Sequence, residues 1–501
     1  MVELSSDYWI SCKQYLTIYQ WSKRMLNMLD LSKFFKAYDL RGTTPELDWK
    51  VYYLAGQALV TEIMIPEELE LSINVWHDTR LTSEKFYKAF ITGLLSKGCT
   101  VIPCGLGSTD MMYAYTIKKN ISGAIITASH NPKDDNGLKI VKKYPQMLGL
   151  STGLDKIRDY VIAYYDSIDI DEKKIRNIIN STQAKKETIE FLTNVCNQIG
   201  DIHNINIPKD YKVVVDAANG MGTLIFLLLQ AQYPKIKWIP LYCNLDGNFP
   251  NHPADPINPE NLKDLQSEVL KTKANLGIAF DGDADRAFFV DEKGELINGE
   301  NLIAVFAREL VRKVKTDNLD FNPASVYVVS YSRALADTVL MEGGAAIASK
   351  QGHTYVKDLM KKYNAIYGGE ASGHHYFGQF GYMDSGILAC NLILKTLFNN
   401  NIAASELCKY YQDKYFMSGE QNIKAPVGKD MKMISQRVKR KYSDGVINEM
   451  DGITVFYPEY KFTIRGSNTE PLFRINVETK IKNDIINPDK ILQELKSIIL
   501  E

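Results

Sequence analysis

One short polar stretch, Thr127 to Pro132, places a serine hydroxyl, an imidazole and an amide close together. It follows the apolar run Gly123 to Ile126, which predicts a buried strand. Ser129 is therefore expected in a turn at the carboxyl end of a strand, where open α/β sheets bind their ligands. Taken alone, the stretch also fits a turn capped by Ser129 and Asn131 with no chemical role.

Three aspartates at alternating positions, Asp281, Asp283 and Asp285, form a second candidate site. Carboxylate oxygens suit a hard cation, and Mg²⁺ is the usual intracellular ion where phosphate is the partner. A calcium-binding EF-hand is the competing interpretation, because Glu292 is the twelfth residue counted from Asp281. That template requires glycine at the position of Arg286, and the flanking runs predict strands instead of helices. An acidic solvated turn is a further alternative, but it does not require three regularly spaced aspartates.

A stretch near the C-terminus has the residue types that bind a phosphate. Arg465, Ser467, Asn468 and Thr469 offer guanidinium, hydroxyl and amide donors, and Gly466 lets the backbone approach a ligand closely. Ser-Asn-Thr is also ordinary turn chemistry, so the stretch alone leaves both interpretations open.

A glycine-rich stretch offers acceptors for the hydroxyls of a sugar, through Glu370 and Ser372. Of the adjacent His374 and His375, at most one is expected to face the same ligand, with the other packed or exposed. Two more candidates follow the second predicted strand of this region: Lys350 and His353.

Length, charge and cysteine usage limit the class of protein. The 501 residues are enough for about three to four domains at ~100–200 residues each. The 59 Lys and Arg residues balance 60 acidic residues, which supports neither a nucleic-acid nor a membrane partner. Seven cysteines without a CxxC pair indicate free thiols in a reducing compartment. The longest apolar run, Leu224 to Leu229, is far shorter than the ~18 residues of a membrane span, so a soluble cytoplasmic protein is expected.

The same order of elements recurs in three copies and positions the polar stretches. In each copy a strand-like run leads to a second run, and a third run ends in a polar stretch. The predicted strands are residues 72–76, 99–103 and 123–126, then 212–215, 236–239 and 276–280, then 325–329, 345–348 and 364–367. The helix-length segments between them predict parallel βαβ units whose polar ends face one central cleft.

After about residue 415 the pattern changes to that of a smaller α+β domain. Residues 432–441 and 489–500 predict helices, 454–460 predict a strand, and two further runs flank the Arg465 stretch. The fold class is therefore α/β: three similar mixed-sheet α/β domains around a central cleft, plus the C-terminal α+β domain. The predicted segments are an N-terminal extension without a signal-peptide pattern at 1–33, the three α/β domains at 34–178, 179–296 and 297–414, and the α+β domain at 415–501.

Collected in this order, these stretches make the chain resemble the α-D-phosphohexomutase family from Phe34 to the C-terminus. The resemblance rests on residues 35–42, 127–132, 281–286, 369–374 and 465–471. The stretch around Glu370 is similar to the sugar loop of bacterial phosphomannomutase/phosphoglucomutase enzymes. Ala371 stands where those enzymes commonly have methionine, and Ala284 and Ala128 stand where glycine is frequent; these departures leave the chemistry intact.

The resemblance implies roles for the candidate residues. Ser129 carries a phosphoryl group and holds Mg²⁺ together with Asp281, Asp283 and Asp285. The catalytic set is Ser129, Lys139, Arg41, His130 and Arg286. Lys139 is the first choice for proton transfer, which at an ordinary lysine pKa of ~10.4 requires neighbouring cations, and His353 and His374 are reserves. The substrate-binding set is Tyr38, Lys350, His353, Glu370, Ser372, His374, Arg465, Ser467, Asn468 and Thr469.

The implied activity interconverts hexose 6-phosphate and hexose 1-phosphate, with mannose preferred and glucose also used, for nucleotide-sugar precursor synthesis. A hexose 1,6-bisphosphate reorients as intermediate and serves as activator, and a monomer or weak dimer is expected to act on small sugar phosphates. The alternatives are a phosphoglucosamine mutase, a phosphoglucomutase and a metal-dependent sugar phosphatase, the last of which the complete phosphate stretch disfavours. A binding protein without catalysis is a further alternative, but Ser129 and all three aspartates are retained.

Overall fold

The computed structural model of the chain describes residues 30–168, 170–200, 205–426, 428–466, 472–480 and 486–500. The described strands form four sheets, of which the first three combine parallel and antiparallel pairs and the fourth is antiparallel. The predicted fold class, three mixed-sheet α/β domains and a C-terminal α+β domain, is confirmed. Most of the predicted N-terminal extension falls outside the described residues.

The first domain builds its sheet around three parallel strands with antiparallel additions. Its strands are β1 (Leu40–Thr43), β2 (Ser72–His77), β3 (Thr100–Leu106), β4 (Ser122–Ile126), β5 (Asp135–Lys142) and β6 (Gln146–Met147). Its helices are α1 (Trp49–Ala58), extended by a π-helical stretch (Leu59–Met64), α2 (Ser83–Ser96), α3 (Thr109–Lys119) and α4 (Leu154–Tyr164). The order is β1-β5-β4-β2-β3, and β2 and β4 are buried along their whole length, as expected for a parallel sheet covered by helices.

The second domain begins with helix α5 and repeats the parallel core. Its elements are α5 (Thr182–Gly200), β7 (Lys212–Asp216), α6 (Gly222–Gln232), β8 (Lys237–Leu241), α7 (Lys263–Thr272), β9 (Leu276–Phe280) and β10 (Ala287–Asp291). The order is β10-β9-β7-β8, with β9 and β10 antiparallel on either side of the aspartate stretch. An EF-hand is excluded here, because that motif places helices on both sides of its loop.

The third domain has the same parallel arrangement of three strands. Its elements are α8 (Gly299–Asp317), β11 (Ala324–Val328), α9 (Ala334–Met341), β12 (Ala345–Ser349), α10 (His353–Lys362), β13 (Tyr367–Gly369), β14 (His375–Phe377), β15 (Met383–Asp384), α11 (Gly386–Asn400) and α12 (Lys409–Lys414). The order is β12-β11-β13-β14-β15. The strand predicted at 364–367 begins only at Tyr367, because Asn364 takes a left-handed φ of 49° in the turn after α10.

The C-terminal domain packs two helices against an antiparallel sheet. Its elements are β16 (Phe416–Met417), β17 (Gln421–Lys424), α13 (Met431–Lys441), β18 (Val446–Asn448), β19 (Ile453–Phe456), β20 (Tyr460–Gly466), β21 (Leu472–Thr479) and α14 (Pro488–Leu500). The single strand predicted at 454–460 is two strands, because Tyr457 N–H donates to Tyr460 O at 2.8 Å and closes a turn between them. Short 3-10 turns connect other elements at Leu31–Phe34, Leu150–Thr152, Glu172–Lys174, Pro259–Leu262, Gly378–Phe380 and Ala404–Glu406.

One apolar cluster runs through the first three domains, the first and second domains each have a further cluster, and the C-terminal domain has a separate one. Helix α5 packs against α3 of the first domain and α11 of the third, so that Met112, Leu192 and Leu388 belong to the same cluster. The C-terminal cluster contains Ile464 and Leu495 and does not merge with it. The domains that supply the predicted catalytic loops are therefore fixed relative to one another by apolar packing.

None of the helices in the described part of the chain is long and apolar enough to cross a membrane. Helix α11 is apolar, but it packs inside the protein and does not need a membrane. Its 15 residues are almost all buried, but against the protein's own core, and a span requires ~20 residues.

Helices α1 and α2 cross at two glycines. A Cβ at Gly93 would lie 2.0 Å from Tyr53 O, and a Cβ at Gly56 would lie 2.4 Å from Phe90 O. Both obstacles are backbone atoms, so neither helix can accommodate a methyl group by a change of rotamer. The close approach of these helices therefore requires glycine at both positions.

Replacing Gly93 by alanine is expected to lower the free energy of unfolding by about 1–3 kcal/mol, because the two helices must move apart. The measurement is a shift of the thermal unfolding transition, with Lys88→Ala on the same helix as control. That partly exposed control should change stability by no more than about 0.5 kcal/mol. Equal transitions for Gly93→Ala and wild type would contradict the close-packing argument.

Candidate active site

The loops that follow β4 and β9, together with the third domain, open on one cleft of about 350 Å³. The predicted site residues that line it are Tyr38, Arg41, Ser129, His130, Lys139, Asp285, Arg286, His353 and His374. They come from all three α/β domains, as the three-copy pattern of the sequence predicts. Glu370, Ser372, Lys350 and Arg465 are not among the residues that line this cleft.

Ser129 is buried and takes a left-handed φ of 52°, which is uncommon for a residue other than glycine. Its Oγ donates to Asp281 Oδ2 at 2.7 Å, and its backbone N–H donates to Thr127 Oγ1 at 2.9 Å. The aspartate loop approaches so closely that a Cβ at Gly282 would lie 2.2 Å from Ser129 O. The serine loop and the aspartate loop therefore form one packed unit across two domains.

Asp281, Asp283 and Asp285 are buried, and they offer oxygens that lie within 4.8 Å of one another. Asp283 Oδ1 and Asp285 Oδ1 have no hydrogen-bond partner among the described residues. An unsatisfied buried polar group costs about 1–3 kcal/mol, more when it is charged. Orphaned carboxylate oxygens that converge on one point fit a hard divalent cation such as Mg²⁺.

Lys139 lies on β5 and donates from Nζ to Asp283 Oδ2 at 2.6 Å and to Asp285 Oδ2 at 2.7 Å. Burial alone lowers the pKa of Lys139, but the two carboxylates outweigh it and raise that pKa above its ordinary value. Burial raises the pKa of Asp283, yet Lys139 and Thr109 bring it below its usual range. Proton transfer by Lys139 would require neighbouring cations that lower its pKa. Its nearest charges are instead the carboxylates of Asp283 and Asp285, which hold Lys139 as an ammonium.

Arg286 connects the aspartate loop to the serine loop. Its Nε lies 3.3 Å from Asp281 Oδ2, and its Nη2 lies 3.3 Å from Ser129 Oγ and 2.5 Å from His130 Nδ1. Burial, Arg286 and Arg41 lower the pKa of His130 to about 2, so the imidazole is neutral and its Nδ1 accepts. A positive charge therefore lies beside the serine hydroxyl, where a phosphoryl group would develop negative charge.

Arg41 lies on β1 and also contacts the serine loop. It donates to Asp39 Oδ2 at 2.6 Å and to Asn131 Oδ1 at 2.7 Å. Tyr38 contacts His353 edge to face, with ring centroids 4.5 Å apart. Burial and the cations around it, foremost Lys357, lower the pKa of His353, so it is a neutral side chain at the cleft.

Of the two adjacent histidines, His374 lines the cleft and His375 is in the core. His374 Nδ1 lies 2.7 Å from Asp384 Oδ2 and 4.0 Å from Asp285 Oδ1, and Lys357 Nζ bonds Asp384 Oδ1 at 2.7 Å. His375 is buried, and its Nδ1 pairs with a tyrosine hydroxyl. Burial lowers the pKa of His375 to about 3.

Glu370 is buried just after β13, and each carboxylate oxygen has one donor. Oε1 accepts from Gly352 N–H at 3.1 Å, and Oε2 accepts from the Tyr376 hydroxyl at 2.5 Å. Ser372 is half-buried in the following turn, and Lys350 Nζ lies 3.7 Å from the centroid of the Tyr355 ring. These residues lie beside the cleft lining instead of within it.

Arg465 lies at the end of β20, whereas Ser467, Asn468 and Thr469 lie outside the described residues. Arg465 Nη2 lies 3.2 Å from Glu420 Oε2. The C-terminal domain contacts the third domain through Asp451, whose Oδ2 accepts from Gln351 N–H at 3.3 Å.

The sequence patterns did not point to several polar residues of the site region, among them Arg80, Lys357 and Asp384. Arg80 follows β2, so the same rule about strand ends that identified Ser129 could have found it. Lys357 and Asp384 lie on a helix and a short strand without a motif, and only the fold brings them to His374.

The chain matches family models for three domains in succession. They are described as phosphoglucomutase/phosphomannomutase alpha/beta/alpha domains I, II and III and cover residues 32–165, 188–294 and 298–415. A phosphomannomutase of Vibrio cholerae is 34% identical over 93% of this chain and 98% of its own. A phosphomannomutase of Methanocaldococcus jannaschii is 34% identical over 93% and 97%, respectively. The crystal structure of a phosphoglucomutase/phosphomannomutase family protein from Burkholderia thailandensis superimposes with a TM-score of 0.74 at 26% identity, covering 93% of this chain and 96% of that one.

The aspartate cluster predicts that Mg²⁺ raises the unfolding temperature of metal-stripped protein, since a ligand at 100 times its Kd adds about 2.7 kcal/mol. Asp283→Asn should abolish most of this increase, measured for each variant as the difference with and without Mg²⁺. The matched control is Asp216→Asn, because Asp216 is also buried in the second domain but pairs with His252 at 3.0 Å. An unchanged Mg²⁺ effect in Asp283→Asn would exclude the cluster as the metal site.

Proposed function

Because the chain belongs to the phosphoglucomutase/phosphomannomutase family and is a phosphohexomutase, we propose that it interconverts hexose 6-phosphate and hexose 1-phosphate, with mannose preferred and glucose also accepted. The observation that carries the proposal is the buried Ser129 hydroxyl, 2.7 Å from Asp281 and beside the Arg286 guanidinium in the three-domain cleft. Phosphoryl transfer depends chiefly on positioning and charge stabilisation, and this arrangement supplies both.

Ser129 carries the transferable phosphoryl group in this proposal. The bond from phosphorus to Ser129 Oγ breaks as a bond to the free hydroxyl of the sugar monophosphate forms, and the hydroxyl proton replaces phosphorus on Oγ. The product is a hexose 1,6-bisphosphate, which also serves as activator by phosphorylating an unmodified serine. Transfer of the opposite phosphate to Ser129 then completes the isomerisation.

Cations around Ser129 lower the cost of this transfer. Arg286 and Lys139 lie on either side of the aspartate cluster and neutralise the charge that spreads over the phosphoryl oxygens. Lys139, as an ammonium, can donate a proton but cannot act as a base. Asp281, Asp283, Asp285 and Ser129 would hold Mg²⁺, which supplies further charge neutralisation when bound.

The bisphosphate intermediate must turn over so that its other phosphate faces Ser129. A second site therefore has to bind whichever phosphate points away from Ser129, and the sugar hydroxyls need equivalent partners in both orientations. We assign the phosphate to Arg465 with Ser467, Asn468 and Thr469, and the hydroxyls to Glu370 and Ser372. Support comes from the contact between the two domains, because Gly352 N–H donates to Glu370 Oε1 at 3.1 Å and the adjacent Gln351 N–H donates to Asp451 Oδ2 of the C-terminal domain at 3.3 Å. Tyr38, Lys350, His353 and His374 complete the substrate-binding set.

The remaining proposals follow from this activity. The chain is proposed to work as a cytoplasmic monomer or weak dimer on small sugar phosphates, supplying precursors of nucleotide sugars. The domain boundaries proposed are 1–33, 34–178, 179–296, 297–414 and 415–501, which place each polar loop in its own domain.

Incubation with glucose 1,6-bisphosphate is expected to add the mass of one phosphoryl group to the intact protein. Ser129→Ala should show no addition and no mutase activity, because the accepting hydroxyl is gone. Ser151→Ala is the control and should be phosphorylated like wild type, because Ser151 is an exposed serine in a second pocket that shares Tyr38 and Lys357 with the cleft. Unmodified wild-type protein that is nevertheless active would refute the phosphoserine.

Mannose 1-phosphate and glucose 1-phosphate are expected to give kcat/KM values within about tenfold of each other. The sugars differ only in the configuration of the 2-hydroxyl, and a site that bonded it in one epimer would leave its own polar group unpaired with the other, a loss of up to ~10⁴–10⁵ when the bond is missing. Both rates are measured with Mg²⁺ and a trace of bisphosphate, with released phosphate measured in parallel. Strong preference would reveal a contact at the 2-position, no isomerisation of either sugar would favour an amino-sugar mutase, and net phosphate release would favour a phosphatase.

A further inference from the structure

Arg80 makes an unusual set of bonds to the serine loop. It follows β2 at the same sheet edge as Ser129, and its side chain is 0% exposed. The guanidinium donates to four backbone carbonyls: Ser129 at 2.7 Å, Asn131 at 2.7 Å, Pro132 at 2.6 Å and Asp135 at 2.9 Å. One side chain therefore ties the loop together from the serine to the start of β5.

The serine loop requires a constraint of this kind, because the backbone of Ser129 is strained. A residue in a sparsely populated backbone region costs about 1–3 kcal/mol and persists only where its surroundings over-determine it. Ser129 has a φ of 52°, and the carbonyl that Arg80 holds at 2.7 Å is that of the strained residue itself. Relaxation of this φ would turn the hydroxyl away from Asp281.

Arg80 is itself fixed in place. Its Nε lies 3.2 Å from Asp78 Oδ2, its backbone N–H donates to Asp78 Oδ1 at 3.0 Å, and Ser83 Oγ donates to the same Oδ1. From the second domain, the ring of Phe249 lies 5.2 Å from the guanidinium carbon. The Asp78 carboxylate also compensates the positive charge of Arg80, which is fully buried.

We propose that Arg80 is the positioning residue of the phosphoryl-carrying serine, an inference that rests on the proposed function. It does not line the cleft and acts only through the backbone of the serine loop. Lysine cannot replace it, because the planar guanidinium has five donors in a fixed fork whereas an ammonium has three on a flexible stem.

Arg80→Lys is expected to lower kcat ~10–100-fold with KM changed less than about threefold, because the substrate contacts remain while the serine is misplaced. The rate at which bisphosphate phosphorylates Ser129 should fall by a similar factor. The matched control is Arg308→Lys, since Arg308 is another largely buried arginine, 3.2 Å from Glu309 Oε1 and 6.0 Å from the centroid of the Tyr411 ring, away from the serine loop. It should lose thermal stability but keep the phosphorylation rate.

Asp78→Asn provides a second variant if Arg80→Lys does not fold. It leaves the four carbonyl bonds in place and removes only the orienting charge, so kcat should fall about 3–10-fold below wild type at nearly constant KM. Variants that lose stability but phosphorylate Ser129 at the wild-type rate would overturn the inference and leave the proposed function intact. Wild-type protein that never gains the phosphoryl group would overturn the proposed function first.

Discussion

The burial of three carboxylates at one point is the constraint on which the site depends. Each ion removed from water costs several kcal/mol unless charges of opposite sign and hydrogen bonds compensate it. Asp281, Asp283 and Asp285 cannot compensate one another, so cations must lie beside them. Lys139 comes from the first domain, and Arg286 ends the aspartate loop itself. The charge balance thereby joins two domains at the point where the serine lies.

The sequence was sufficient for the parts of this arrangement that have a pattern. Runs of apolar residues identified the parallel strands, and the polar stretches at their ends identified Ser129, the aspartates and the loop of Glu370. Strand ends were less certain, because the left-handed turn at Asn364 and the tight turn at Tyr457 depend on single backbone conformations. Neither residue type demands such a turn.

The chemistry of individual side chains was harder to predict, because it depends on neighbours that are distant in sequence. Lys139 has the residue type of a proton-transfer group, but its nearest charges are carboxylates that arrive 144 and 146 residues later. Arg80 acts on backbone carbonyls, which every residue possesses, so the sequence contains no signal for its partners. His374 owes its orientation to Asp384 and thereby to Lys357, which stand in no recognisable spacing.

The separate core of the C-terminal domain has an energetic consequence for access to the cleft. Contacts that join this domain to the third include the Arg333–Glu478 ion pair and the bonds from Lys461 to the carbonyls of Val329 and Tyr331. Polar contacts can be exchanged for water at a net cost of about 0.5–1.5 kcal/mol each, whereas exposing a shared apolar core costs about 25 cal/mol per Å². We therefore expect thermal fluctuations to displace the domain with Arg465 more readily than the other three, because the apolar cluster that joins those three is separate from the C-terminal cluster.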